Sequence, residues 1–217
     1  MRRLIVTTGI SVLLFGAIAL AVPTAAGAAA DTRCTGRLRA GTYARVVVPE
    51  GAVCLSNGPV QIRGGLWIRP GATFVLGSEE SGWTTGTIDD GVHANDPASV
   101  QIHFATINGG IEIHGGSGPF GPPFDVTWNA IEDNVIHGGV NITGYNGFWF
   151  GFIRNDVRGT VTLRNNVLAD PDGNEYVTNS IRGSLVCSGN SPAPQTGDSQ
   201  GAENVVTGRK IGQCARV

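Results

Sequence analysis

One phrase is written twice between Trp128 and Leu163, and it restricts the fold more than anything else in the chain. Trp128-Asn-Ala-Ile-Glu-Asp-Asn134-Val-Ile-His137-Gly138-Gly-Val140-Asn-Ile142 is followed, 21 residues on, by Trp149-Phe-Gly-Phe-Ile-Arg-Asn155-Asp-Val-Arg158-Gly159-Thr-Val161-Thr-Leu163. The Trp, the Asn, the Gly and the apolar alternation after the Gly all coincide. Short alternating apolar runs, separated by Gly and Asn and repeated at this length, describe a coiled sheet with one turn per repeat.

Further copies extend the pattern to Val60–Ile68, Ala105–Ile113 and Asn179–Cys187, with a degenerate one at Ile88–Ala94. The shared glycines, Gly64, Gly91, Gly109, Gly138, Gly159 and Gly183, lie 18 to 29 residues apart. Such irregular spacing suits a right-handed parallel β-helix, whose turns tolerate insertions. A left-handed coil of strict hexapeptides would hold its period, and a β-sandwich has no reason to repeat the same Gly and Asn positions. The expected fold is all-β, a single right-handed parallel β-helix with a disulfide-pinned cap at each end. Its expected divisions are a signal segment at 1–30, an N-terminal cap at 31–58, coils at 59–190, and a loop with a capping strand at 191–217.

Strand alternation separates inside from outside. Leu66/Ile68, Val92/Ala94, Ile111/Ile113, Val140/Ile142, Val161/Leu163 and Leu185/Cys187 are the expected inward pairs after the Gly, and Ile62, Ile107, Ile136, Val157 and Ile181 the inward residues before it. Asn134, Asn155 and Asn179 align as a ladder satisfying backbone groups at a bend. Trp67 and Tyr145 read as isolated surface packing, and Thr42–Cys54 as a strand, a turn and a return. His114–Phe124 is too rich in Gly and Pro for a strand.

Composition limits the functional classes. Net charge is −2 with 15% charged residues, so no general basic field points to nucleic acid. Met1-Arg-Arg3, the apolar run Leu4–Val22 and the small residues up to Ala30 read as a secretory signal, which makes the mature protein extracellular and free of the membrane. In an oxidising compartment the four cysteines are expected as disulfides, with three possible pairings. Pairing Cys34 with Cys54 and Cys187 with Cys214 would close one loop at each end. No metal site is expected: Cys-x-x-Cys is absent, and Asp170–Glu175 has only the beginning of a calcium loop.

The alignment also predicts which outward residues become neighbours. Trp128 and Trp149 should sit on adjacent turns, either as a platform for a sugar ring or covered by the Phe120–Pro123 loop. The residues before each Gly form a row, Arg63, Asp90, Asn108, His137, Arg158 and Arg182, in which Arg158 and Arg182 give a positive strip suited to carboxylate or sulfate groups. Asp133 and Arg154 should pair. No catalytic residue is assigned; Glu132, Asp133 and His137 are the weak acid–base candidates. Asn141-Ile-Thr143 is a glycosylation sequon where the host has that machinery.

The Ile-x-Gly-Gly-Val-x-Ile units, Val46–Cys54 and the closing Cys187-Ser-Gly-Asn-Ser-Pro-Ala-Pro…Gly-Gln-Cys214 resemble a family of small secreted β-helix proteins of high-GC Gram-positive bacteria. More distantly the coil resembles the pectate-lyase superfold, which implies dealings with acidic polysaccharides. None of that superfold's catalytic motifs matches here residue by residue. The expected function is non-catalytic binding of extracellular or cell-wall polysaccharide through an outward face, without cofactor. The alternatives are a small polysaccharide lyase or hydrolase and a self-assembling surface protein.

Overall fold

A computed structural model describes residues 30–78, 86–118, 128–197 and 201–217, and of Trp128 the backbone alone. Residues 1–29 of the expected signal and residues 119–124 of the expected loop, among them the Phe120–Pro123 stretch expected over the tryptophans, lie outside the described residues. Each turn of chain passes through three parallel sheets in a fixed order. Sheet I has eight strands, Gly41–Tyr43, Val60–Ile62, Gly86–Ile88, Ala105–Ile107, Val135–Ile136, Asp156–Val157, Ser180–Ile181 and Val205–Val206. Sheet II has nine, beginning at Thr32–Arg33 and Val46–Val48, running through Leu66–Ile68, Val92–Asn95, Ile111–His114, Val140–Thr143, Val161–Arg164 and Leu185–Ser188, and ending at Lys210–Gly212. Sheet III has six, from Val53–Ser56 through Thr73–Leu76, Ser99–His103, Trp128–Glu132 and Trp149–Ile153 to Asn174–Val177. The molecule is a parallel β-helix.

Register follows the apolar alternation. Leu66, Val92, Ile111, Val140, Val161 and Leu185 pair in succession down sheet II, with Ile68, Ala94, Ile113, Ile142, Leu163 and Cys187 two residues on. All of them are buried. Every rung thus stacks like side chains on like, and the core is a column enclosed by three sheets. The phenol of Tyr176 and the ring of Phe150 meet edge-on at 5.7 Å, and Phe150 meets Tyr145 in the same way at 6.0 Å. Tyr145 is therefore core and not surface packing. The turn that carries it folds its ring inward, so its exposure was not readable from the alternation of the neighbouring strands.

Two further expectations are corrected. Thr42–Cys54 is no strand-and-return: its three strands enter three different sheets and make a complete rung. Gly91 aligns with Gly65 and Gly110, one place later than the stacked glycines, because Ile88 pairs with Ile107 and Val92 with Ile111. Asp90 fills the stacked position instead.

The stacked glycines are required by closeness. A Cβ on Gly138 would lie 2.7 Å from the backbone nitrogen of Gly110, and one on Gly159 or Gly183 2.6 Å from backbone of the rung before. Rungs about 4.8 Å apart leave no room for a side chain where the turn between sheets I and II folds back on itself.

The opposite problem, buried backbone groups at the corner between sheets III and I, is solved by the asparagines. Asn134 Nδ2 donates to Asn155 Oδ1 (3.1 Å), Asn155 Nδ2 to Asn179 Oδ1 (3.0 Å), and Asn179 Nδ2 to Asn204 Oδ1 (2.8 Å). The same Nδ2 groups donate to the carbonyls of Ile102, Ile131 and Phe152, and each Oδ1 also accepts a backbone N–H from the rung before. A second ladder turns the corner from sheet II to sheet III: Asn166 and Asn190 accept from the backbone N–H groups of Tyr145 and Asn166, and Gln213 accepts from that of Asn190.

Both ends are closed. Cys34 and Cys54 are joined, as are Cys187 and Cys214. Leu38 is buried beside the first bridge, and the 3-10 turn Gln213–Arg216 seats Cys214 and Val217 over the last rung.

Asn155→Ala removes an acceptor from Asn134 and two donor contacts at a buried corner, so urea unfolding should show a loss of about 3 kcal/mol. Tyrosine titration gives a second check. Burial pushes the Tyr145 hydroxyl up to about 12, with Asn129 acting the other way, and burial also raises that of Tyr176. The folded state holds these protons more tightly than the unfolded chain. The stabilisation is therefore complete below about pH 10 and is lost as pH rises through the folded value. An ultraviolet titration should find both phenols still largely protonated at about pH 11 in the folded protein, and both ionising near pH 10 in denaturant.

Candidate functional site

Of the predicted residues, sheet III carries Trp128, Trp149 and Glu132 on its outward phase, with Asp133 at its corner, while Gln101, Ala130, Ile153 and Glu175 on the same phase are buried. Trp128 pairs with Trp149 in register, on adjacent rungs. Trp149 is half-buried, and its six-membered ring occupies the place a Cβ on Gly151 would take, with Cζ3 2.8 Å from that point. The indole therefore lies down along its own strand, one side toward the sheet and the other away from it. Glu132 Oε1 stands 2.9 Å from the same point, so ring and carboxylate share the space above Gly151. Gly151 is the residue that lets them in.

Glu132 is buried, contrary to the expectation of an outward acid, and Arg154 reaches its Oε2 at 3.3 Å. His103 Nδ1 lies 3.9 Å from the same oxygen, both side chains being 6% exposed. Asp133 and Arg154 each sit at the corner between sheets III and I with left-handed backbone, φ 57° and 56°. That conformation is costly for residues with a side chain. It turns the two outward on adjacent rungs, where Arg154 donates to both oxygens of Asp133, from Nε at 2.7 Å and Nη2 at 2.9 Å. The predicted pairing of these two is present, and Arg154 holds both carboxylates.

His137 does not join them. It stands exposed beyond the short strand Val135–Ile136, and among the described residues no hydrogen bond or ion pair connects it to either carboxylate. Arg158 follows it on the next rung and Arg182 on the one after, both exposed, through backbone bonds from Arg158 to Ile136 and from Arg182 to Val157. Arg182 pairs with Asp156 at 3.5 Å, which leaves Arg158 as the more open cation of the strip. Glu175, from the calcium-like turn, is fully buried on sheet III, and among the described residues no cluster of three acidic, imidazole or thiol groups could hold a metal ion.

A second constellation lies on the outer face of sheet II, in outward rows other than those that bring together Trp128 and Trp149, Asp133 and Arg154, or the residues preceding each Gly. The row between the inward pairs reads Trp67, His93, Glu112, Asn141 and Thr162. Trp67 is not isolated: its ring stacks on His93 at 4.3 Å and 22°, with the guanidinium groups of Arg45 and Arg69 each 5.9 Å from its centre. That stacking occupies a face of the indole. His114, two residues after Glu112, donates or accepts at both nitrogens, to Glu112 Oε1 at 3.1 Å and Thr143 Oγ1 at 3.0 Å. Two shallow clefts of about 310 and 380 Å³ run along this face and share His93 and Glu112.

Two disulfides fit an oxidising compartment. No helix among the described residues is long and apolar enough to cross a membrane. No known family, curated protein or solved structure matches the chain.

Gly151→Val should lift the Trp149 ring from the sheet. Tryptophan emission should change in that variant and stay unaltered when the same substitution is made on a Trp149→Phe background, with a stability loss of about 1–3 kcal/mol in urea.

Proposed function

We propose that this is an exported protein that binds extracellular or cell-wall polysaccharide, without cleaving it, through the part of sheet III around the half-buried Trp149 and the accessible corner beside it. The observation that carries the reading is the Trp149 indole laid along its strand over Gly151, with Trp128 paired to it on the adjacent rung. A sugar ring offers one face of C–H groups to such a surface, and the negative face of an indole attracts them. Asp133 and Arg154, at the corner beside the ring, supply charged acceptors and donors for hydroxyl groups. Arg158 and Arg182, on the next corner, extend the face toward polymers carrying carboxylate or sulfate.

The rival reading, a polysaccharide lyase or hydrolase using Glu132, Asp133 and His137, is less well served. Arg154 engages both carboxylates, and His137 stands apart from them. Acid–base chemistry needs a carboxyl group free to exchange its proton with the substrate.

The test is retention on a panel of insoluble cell-wall and plant polysaccharides, scored with product release. Wild-type protein should be retained on at least one, and Trp128→Ala/Trp149→Ala should lose at least tenfold in retention with an unchanged far-ultraviolet spectrum. Equal retention by the double variant would refute the site. New reducing or unsaturated ends would refute the non-catalytic reading.

A further inference from the structure

The outer face of sheet II carries an arrangement independent of the polysaccharide reading. His114 is held between a carboxylate and a hydroxyl on rigid, neighbouring strands: its Nε2 is 3.1 Å from Glu112 Oε1, and its Nδ1 is 3.0 Å from Thr143 Oγ1. An ionised carboxylate can only accept, so in the neutral ring Nε2 carries the proton and Nδ1 offers its lone pair to the Thr143 hydroxyl. That is the polarity of a nucleophile, a general base and a group that orients the base. Register supplies the rest. Thr143 pairs with His114 on one side and with Arg164 on the other, and Arg164 makes no ion pair among the described residues. A cleft of about 380 Å³ lies on the other side of Glu112 and His114, toward Trp67 and His93; Thr143 and Arg164 do not line it, and an ester meets them on the open outer face of the sheet.

We propose that Thr143, His114 and Glu112 form a relay for acyl transfer, hydrolysing small carboxylic esters. Thr143 Oγ1 bonds to the ester carbonyl carbon while His114 Nδ1 takes the hydroxyl proton. The tetrahedral oxyanion forms beside Arg164, the carbonyl re-forms, the alkoxide leaves, and His114 returns the proton to it. Water then repeats the sequence on acyl-Thr143, with His114 again taking and returning one proton, and releases the acid. Glu112 acts through His114 and is a positioning residue. The Glu112 and His114 side chains are 55% and 48% exposed, so water screens the carboxylate and the relay works at the low end of general-base catalysis, around a hundredfold.

The probe is p-nitrophenyl acetate, with acid-quenched protein digested and weighed for an acetyl group on Thr143. Release of p-nitrophenolate above the protein-free rate, with acetyl-Thr143 trapped, is expected. Thr143→Ala and His114→Ala should fall to the protein-free rate, and Thr143→Ser should retain turnover and the adduct. Glu112→Gln should lower kcat with KM unchanged, and Glu112→Asp should recover part of it. Trp128→Ala/Trp149→Ala should leave esterolysis untouched, so failure of the polysaccharide site and failure of this relay read out separately. No excess rate, no adduct on residue 143, or an excess rate that survives Thr143→Ala or His114→Ala would overturn the proposal.

Discussion

The described rungs are hydrogen-bonded to their neighbours in strict register, and that coupling governs the rest of the structure. A residue's vertical neighbours are fixed by position within the repeat, so whatever stands in a column must tolerate copies of itself at strand spacing. Apolar residues satisfy this by packing, and the inward columns of sheet II are accordingly built mainly from Val, Ile and Leu, with Phe and Tyr rings joining them on sheet III. Asparagine satisfies it at a buried corner because its amide both donates and accepts, so Asn134, Asn155, Asn179 and Asn204 bond one another and the backbone at once. Glycine satisfies it where the backbone itself is the neighbour, as at Gly138, Gly159 and Gly183.

The same rule explains what could be read in the sequence. The core columns, the first asparagine ladder, the Trp128–Trp149 pairing and the Asp133–Arg154 contact were legible because each follows from aligning copies of one phrase. Gly91 was misplaced by one residue because it is the lone glycine of its turn and was matched to the stacked glycines. The structure places it where the backbone is left-handed, φ 78°, in line with Gly110 at 91°. The second ladder escaped notice because its members change from Asn166 and Asn190 to Gln213. The usable signal was an Asn three residues after the last inward residue, Leu163 or Cys187. Tyr145 sits in a turn, where alternation says nothing about direction.

The candidate sites differ in how far columns can predict them. The grouping on sheet II follows from the alignment once the rows between and just after the inward residues are taken, since Glu112 lies in the first, His114 and Thr143 lie in the second, and all three occupy two adjacent rungs. The burial of Glu132 was not visible there. It depends on Gly151 making room above the sheet and on Arg154 and His103 closing around the carboxylate. Where a function rests on columns it belongs to the repeat, and where it rests on departures such as Gly151 it belongs to one place in this chain. The outer faces of sheets II and III therefore present different side chains on one scaffold.

Register can be measured directly. Thr106 and Val135 are paired outward residues on adjacent rungs of sheet I, whereas Asp156 lies one rung beyond Val135. Parallel neighbours about 4.8 Å apart fall within the span a disulfide bridges, and a two-rung separation does not. Mild oxidation of Thr106→Cys/Val135→Cys should give a single new disulfide-linked peptide pair by mass, with both native bridges kept, while Thr106→Cys/Asp156→Cys should stay reduced. A bridge in the second variant, or none in the first, would contradict the stacked-rung account.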